Sequence, residues 1–141
     1  MSTATPIASE VRSASGSSKA AIWTGRVISG LITLLMLMDG VMKLIKPAAV
    51  VEGSARVGIP ESTITGIGIA LLASTILYAV PATTGLGAIL LTGYLGGAVM
   101  THVRVEDPAW MILSPVVFGV LVWLGVFLRD SRLRQLVPIR R

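Results

Sequence analysis

The chain has 141 residues, 53% of them hydrophobic and 13% charged, with a mean hydropathy of +0.81 and a formal net charge of +5. A soluble domain of this length carries about one quarter charged residues, so the composition argues for a single domain solvated by lipid. Cysteine is absent, which excludes disulfides, thiol catalysis, thiolate metal sites and iron–sulfur clusters.

Residues 1–20, rich in Ser, Ala and Thr, read as a disordered polar tail. They do not read as a signal peptide, because the apolar run behind them is too long and no clean cleavage site follows. The membrane domain is expected over 21–128. Its first span runs over 22–45 and stops at Lys46-Pro47, with enough apolar residues for the roughly 20 that a spanning helix needs. Residues 48–57 suggest a short, mildly amphipathic helix, ended by Gly58 and Pro60; too short to span, it is expected at the interface. Ser62 or Thr63 is positioned to cap the next helix.

From Ser62 to Thr101 no Lys, Arg, Asp or Glu occurs. The one turn signal in that block is "VPATTG", residues 80–85, which divides it into a second span at 64–80 and a third at 86–101. "HVRVEDP" then breaks the apolar character, and the fourth span follows at 110–128, with Pro115 expected to bend it near its start. Residues 129–141 form a basic tail.

The fold class expected is all-α, an integral membrane four-helix bundle with a short interfacial helix between spans 1 and 2. Four spans put both tails and the 80–85 turn on one side. That side carries Arg12, Lys19, Arg26, Arg129, Arg132, Arg134, Arg140 and Arg141, against Lys43, Lys46, Arg56 and Arg104 on the other. The positive-inside rule places both termini of this multi-pass chain in the cytoplasm. Trp23 and Trp123 fall near the inner ends and Trp110 near the outer end, as an aromatic belt requires. Small residues recur every fourth position in Gly25-Ser29-Thr33, Gly66-Ala70-Ser74 and Gly93-Gly97-Thr101, which predicts close helix contacts in a left-handed bundle. "GIGIAL" belongs to such a stripe: it sits mid-span with no strand before it, so it is no dinucleotide fingerprint.

"LMLMDGVMKLIKP" places a carboxylate and an amine inside hydrocarbon. Asp39 and Lys43, four residues apart, share a helix face and can pair. Lys43 can also reach the headgroups along its stem. The first and third spans run in the same direction, so Asp39, Lys43, His102 and Arg104 converge at the outer side. Glu52, Arg56, Glu61, Glu106 and Asp107 lie in the loops above. One reading is a structural tie, with Asp39 paired to Lys43 or Arg104. The other is a ligand pocket open to the outer leaflet, with Asp39, Lys43, Tyr94, His102 and Arg104 as contacts and Asp39 and His102 as candidate catalytic groups. One His without Cys makes haem and metal sites poor expectations, and the Met residues suit lipid or core packing. Basic residues confined to tails and loops, without interleaved aromatics, point to membrane lipid and not nucleic acid.

The segments "RVISGLITLLMLMDGVMKLIKP", "ARVGIPES", "GAILLTGYLGGAVMTHVRV" and "LRDSRLRQLVP" together resemble the DoxX-like proteins, small four-helix bacterial membrane proteins. The resemblance covers about 26–138, with "LLTGYLGGAVMTHVR" its most specific part. The family takes its name from a subunit of an archaeal quinol oxidase and thiosulfate:quinone oxidoreductase system, and some members associate with oxidative-stress or thiol-handling enzymes. The resemblance therefore implies a quinone-linked redox role, without transferring any catalytic residue. The function expected is a quinone-associated support subunit that holds a lipophilic ligand near the outer ends of spans 1 and 3. It would have no covalent cofactor, and a redox partner protein would deliver the electrons. The alternatives are a self-contained acid–base enzyme on a lipophilic substrate (an isomerase, cyclase or epoxide hydrolase working through Asp39) and a non-catalytic membrane scaffold. Transport fits less well, because the middles of the spans carry only small and hydroxyl residues.

Overall fold

Five helices follow one another in the computed structural model, which describes residues 19–132: α1 (Lys19–Ile45), α2 (Ala48–Arg56), α3 (Glu61–Ala79), α4 (Thr84–Arg104) and α5 (Ala109–Arg129). Among the described residues there is no strand. Apart from Lys19 and Ala20, the N-terminal tail lies outside the described residues, as does the basic tail beyond Arg132. α1, α3, α4 and α5 are each long and apolar enough to cross a membrane, and α2 is the short helix between the first two. α1, with 27 residues, is about 40 Å long, more than the roughly 30 Å of a hydrocarbon core.

The helices pack in a ring. α1 lies against α3 and α5, and α4 lies against the same two, so α1 and α4 stand on the diagonal. The core consists of Ile32, Met36, Leu71, Tyr78, Ala88, Leu91, Leu95, Val122 and Val126. Around it, large apolar residues such as Leu31, Leu34, Met38, Ile69, Ile89 and Val120 are exposed. An apolar surface this extensive is stable only against lipid.

Small residues permit the close crossings, but not all of those expected. A Cβ on Gly25 would press on Leu128 and the α5 backbone, and one on Gly125 would collide with Ser29, so the first stripe is a real α1–α5 contact. α1 and α3 meet through Gly40 and Gly68. The Gly66-Ala70 stripe instead faces outward, and a Cβ on Gly66 meets nothing within 4 Å. The same is true of Gly93 and Gly97. A small residue lets a neighbour approach but does not compel one, and here Gly93 and Gly97 leave open space.

Buried polar groups tie the bundle where the α3–α4 turn and the end of α5 meet. The Tyr78 hydroxyl, in contact with Ser29 Oγ at 3.1 Å, donates to the Val122 carbonyl at 3.0 Å, linking α3 to α1 and α5. Arg129 donates to the Tyr78 carbonyl and to Thr84 Oγ1, and its guanidinium lies 5.1 Å from the Tyr78 ring centre. A cation at the carbonyl end of α3 is favourable on both counts.

One local expectation is corrected. α3 starts at Glu61 after Pro60, with no side-chain cap; Thr63 Oγ1 turns back to the Pro60 carbonyl, and Ser62 caps nothing. Trp123 is partly buried where Trp23 and Trp110 are exposed, and its indole N–H donates to Thr92 Oγ1 at 2.9 Å, joining α5 to α4 at the surface. α5 continues through Pro115. Proline cannot donate to the Met111 carbonyl, and the Ser114 hydroxyl donates to it instead at 3.0 Å.

Candidate functional site

Three helices finish with a left-handed residue at the end of the bundle that carries α2. Lys46 (φ 52°) closes α1, its N–H bonded to the Met42 carbonyl, and Pro47 bars further helix. Gly58 (φ 75°) closes α2: its own N–H bonds Ala55 and that of Ile59 bonds Ser54. Glu106 (φ 55°) closes α4 in the same way, with its N–H on Val103 and the N–H of Asp107 on His102. The last two are Schellman closures, and they fold the chain back over the helix they end.

These reversals border an open-sided cavity of about 570 Å³. Asp39 and Lys43 of α1 form one wall, Ile64 and Ile67 of α3 another, and Gly93, Tyr94, Gly97, Ala98, Thr101 and His102 of α4 the third. α2 lies over it through Val50, Gly53, Ser54 and Arg56, with Val57 just beyond. The missing side chains of Gly93 and Gly97 account for much of the floor. A few polar groups in an apolar hollow of this size are what small-molecule sites are made of.

The polar residues form two sets. In the deeper set, Lys43 Nζ donates to Asp39 Oδ1 at 2.5 Å, and the Tyr94 hydroxyl donates to Asp39 Oδ2 at 3.2 Å. The same ammonium stands 6.0 Å from the Tyr94 ring centre. The Asp39–Tyr94 bond crosses the bundle diagonal from α1 to α4. Each oxygen of the Asp39 carboxylate has one donor, and its side chain remains 43% exposed.

In the second set, at the cavity mouth, Arg56 grips Asp107 with two bonds of 2.5 and 3.3 Å, and Asp107 Oδ2 lies 2.6 Å from His102 Nδ1. The Asp107 side chain is only 4% exposed. The Arg56 guanidinium foremost, and then the His102 ring, hold its carboxyl below the usual carboxylate range. Tyr94 and His102, eight residues apart on α4, are separated by about 12 Å along its axis.

Of the site residues expected from sequence, Asp39, Lys43, Tyr94 and His102 all line the cavity, but not at one level. Arg104 is elsewhere: it donates to the Val57 carbonyl at 2.5 Å and lies against Gly58, fastening the end of α2. Lys43 turns back along α1 to Asp39, one turn earlier in the helix. Asp107 and Arg56 read from sequence as loop charges; the structure makes them the anchor of His102. Their sequence signal was faint, because only a left-handed Glu106 brings residue 107 back to residue 102. Among the described residues no group of three or more His, Asp or Glu is placed to hold a metal ion.

No curated protein and no solved structure matches the chain. A family model, that of the DoxX-like family, matches residues 27–125, from within α1 to within α5 and therefore across all four spans and the whole cavity. The match covers more than half of the chain, and with four helices fit to cross a membrane it shows a multi-pass membrane protein that belongs to the DoxX-like family.

Proposed function

We propose that this protein holds a lipophilic small molecule with a polar head in the cavity between α1, α3 and α4, and that the molecule is a quinone whose redox chemistry a partner protein completes. The observation that carries the reading is the pairing of an apolar, glycine-floored hollow with two separate proton-carrying groups. The donor set fits a quinone head. Lys43, with one N–H on Asp39, keeps further N–H donors for a carbonyl oxygen at depth, and the open Gly93–Gly97 face leaves room for a ring. When bound, a quinone supplies two-electron, two-proton chemistry. The chain's own part is to orient the head, exclude water and offer His102 and Asp39 as proton carriers.

The bundle sits in this reading in the bacterial inner membrane, with both termini in the cytoplasm and α2 on the outer side. The support is the distribution of Lys and Arg, eight against four.

One observation favours a second reading, acid–base catalysis such as isomerisation of a lipophilic substrate. An imidazole anchored by a carboxylate is the arrangement general bases use. His102 would then be the base, its Nδ1 anchored by Asp107, while Asp39 with Lys43 and Tyr94 would hold the polar part of the substrate.

Mass spectrometry of small molecules retained after mild-detergent purification from the native host separates these readings. A quinone enriched over a control membrane protein, and lost in Asp39→Asn and His102→Gln, is the expected result. Enrichment of another lipophile would favour the acid–base reading and identify its substrate. Retention of bulk lipid alone would overturn both.

A further inference from the structure

We propose that Asp107 is a positioning residue that fixes the His102 ring with its proton on Nδ1 and leaves Nε2 as an open proton acceptor at the cavity mouth, and that Arg56 makes this state conditional on α2 lying closed over the cavity. The inference rests on the cavity being the ligand site, and it assigns the mouth its chemistry. An ionised carboxylate only accepts hydrogen bonds, so the 2.6 Å contact requires Nδ1 to be the donor. In the neutral ring the other nitrogen then carries the lone pair. Nε2 has no hydrogen-bond partner among the described residues, and the ring lines the cavity.

The carboxylate is itself held from two sides. The Schellman closure at Glu106 fixes its backbone over the last turn of α4, and the forked guanidinium of Arg56 occupies both oxygens. Arg56 is the final residue of α2, a helix that buries none of its residues. α2 is flanked by the left-handed Lys46 and Gly58, and it is fastened at its ends, by Arg56 on Asp107, Arg104 on the Val57 carbonyl, the buried Val57 side chain and the neighbouring Lys46–Glu61 pair at 3.8 Å. A helix held this way opens more readily than the spans it covers. Lifting it removes Arg56 from Asp107, so access to the cavity and the setting of His102 are controlled by one carboxylate.

His102 is the chain's only histidine, so uniform ¹⁵N-histidine labelling of the full-length protein in nanodiscs reports a single ring. The neutral ring in the wild type is expected to carry its proton on Nδ1. In Asp107→Asn, Arg56 keeps the amide oxygen on its own side, the amide NH₂ faces the ring, and the proton moves to Nε2. In Arg56→Gln the ring is expected to show both tautomers, and hydrogen–deuterium exchange mass spectrometry to show the backbone amides of α2 exchanging several-fold faster while those of α3 and α5 do not change. A packing role alone would move neither tautomer. A wild-type ring protonated on Nε2, or one left on Nδ1 in Asp107→Asn, would overturn the proposal, as would α2 exchange unaltered by Arg56→Gln. No ligand is needed for these spectra, so they fail or succeed independently of what the cavity binds.

Discussion

A lysine in the last turn of a membrane helix ordinarily extends its amine to the headgroups, whereas Lys43 turns back along α1 to Asp39. Asp39, one turn deeper, and the face of Tyr94 offer it an ion pair and a π-cloud. Neither charge is then isolated in a medium where isolation is costly. Removing one partner should therefore cost more than removing both. Asp39→Leu is expected to lower stability by about 1–3 kcal/mol by stranding the ammonium, and Asp39→Leu with Lys43→Met to recover most of that loss. Thermal unfolding in detergent measures both. Asp107 makes a pH prediction. Its folded carboxyl titrates below the unfolded value of about 3.9, so its contribution is fully present above that value and is lost as pH falls through the lower, folded one. The wild-type melting temperature should decline below about pH 4. Asp107→Asn should start lower and decline less over the same interval.

At the scale of elements, the glycines separate into those that allow contact and those that make room. Gly125→Ala drives a methyl into Ser29 and the Tyr78 hydroxyl and is expected to destabilise by about 1–3 kcal/mol. Gly97→Leu meets open space; it should leave the melting temperature nearly unchanged while filling the cavity and abolishing retention of its ligand. The four spans were legible in the sequence because an apolar run of membrane length is a strong signal, and the Asp39–Lys43 pair because spacing of four fixes a shared face. The glycine stripes were legible as positions but not as roles, since contact or void depends on where the neighbouring helix lies. The His102–Asp107 pair was not legible. A reversal of the Schellman kind is ordinarily announced by glycine, as at Gly58, and at the end of α4 the left-handed position is taken by Glu106. Tyr78 stayed hidden for another reason: its partners Ser29 and the Val122 carbonyl come from helices far apart in sequence.

For the whole molecule, polar structure is concentrated at the two ends, and the ends differ in kind. Where the α3–α4 turn meets the end of α5, Tyr78, Ser29, Thr84 and Arg129 lock four helices together around buried hydrogen bonds. At the other end the polar groups border a hollow beneath a helix with no buried residue. A rigid end and an accessible end suit a protein that admits a molecule from one side. The sidedness is directly testable because the chain has no cysteine. In intact spheroplasts a membrane-impermeant thiol reagent should label Ala55→Cys on α2 and leave Ser131→Cys unlabelled, and the reverse pattern would invert the orientation.

The cavity is not the only hollow: an almost wholly apolar groove between α4 and α5, lined by Gly96, Gly119 and Trp123 among others, has a similar volume of about 570 Å³. Photolabelling with an azido-quinone, followed by peptide mapping, tells the two apart and tests the ligand site most directly. Adducts on α2 and on the Gly93–His102 face of α4, lost in Gly97→Leu, are the expected result. Adducts confined to the α4–α5 groove, or undiminished in Gly97→Leu, would contradict it.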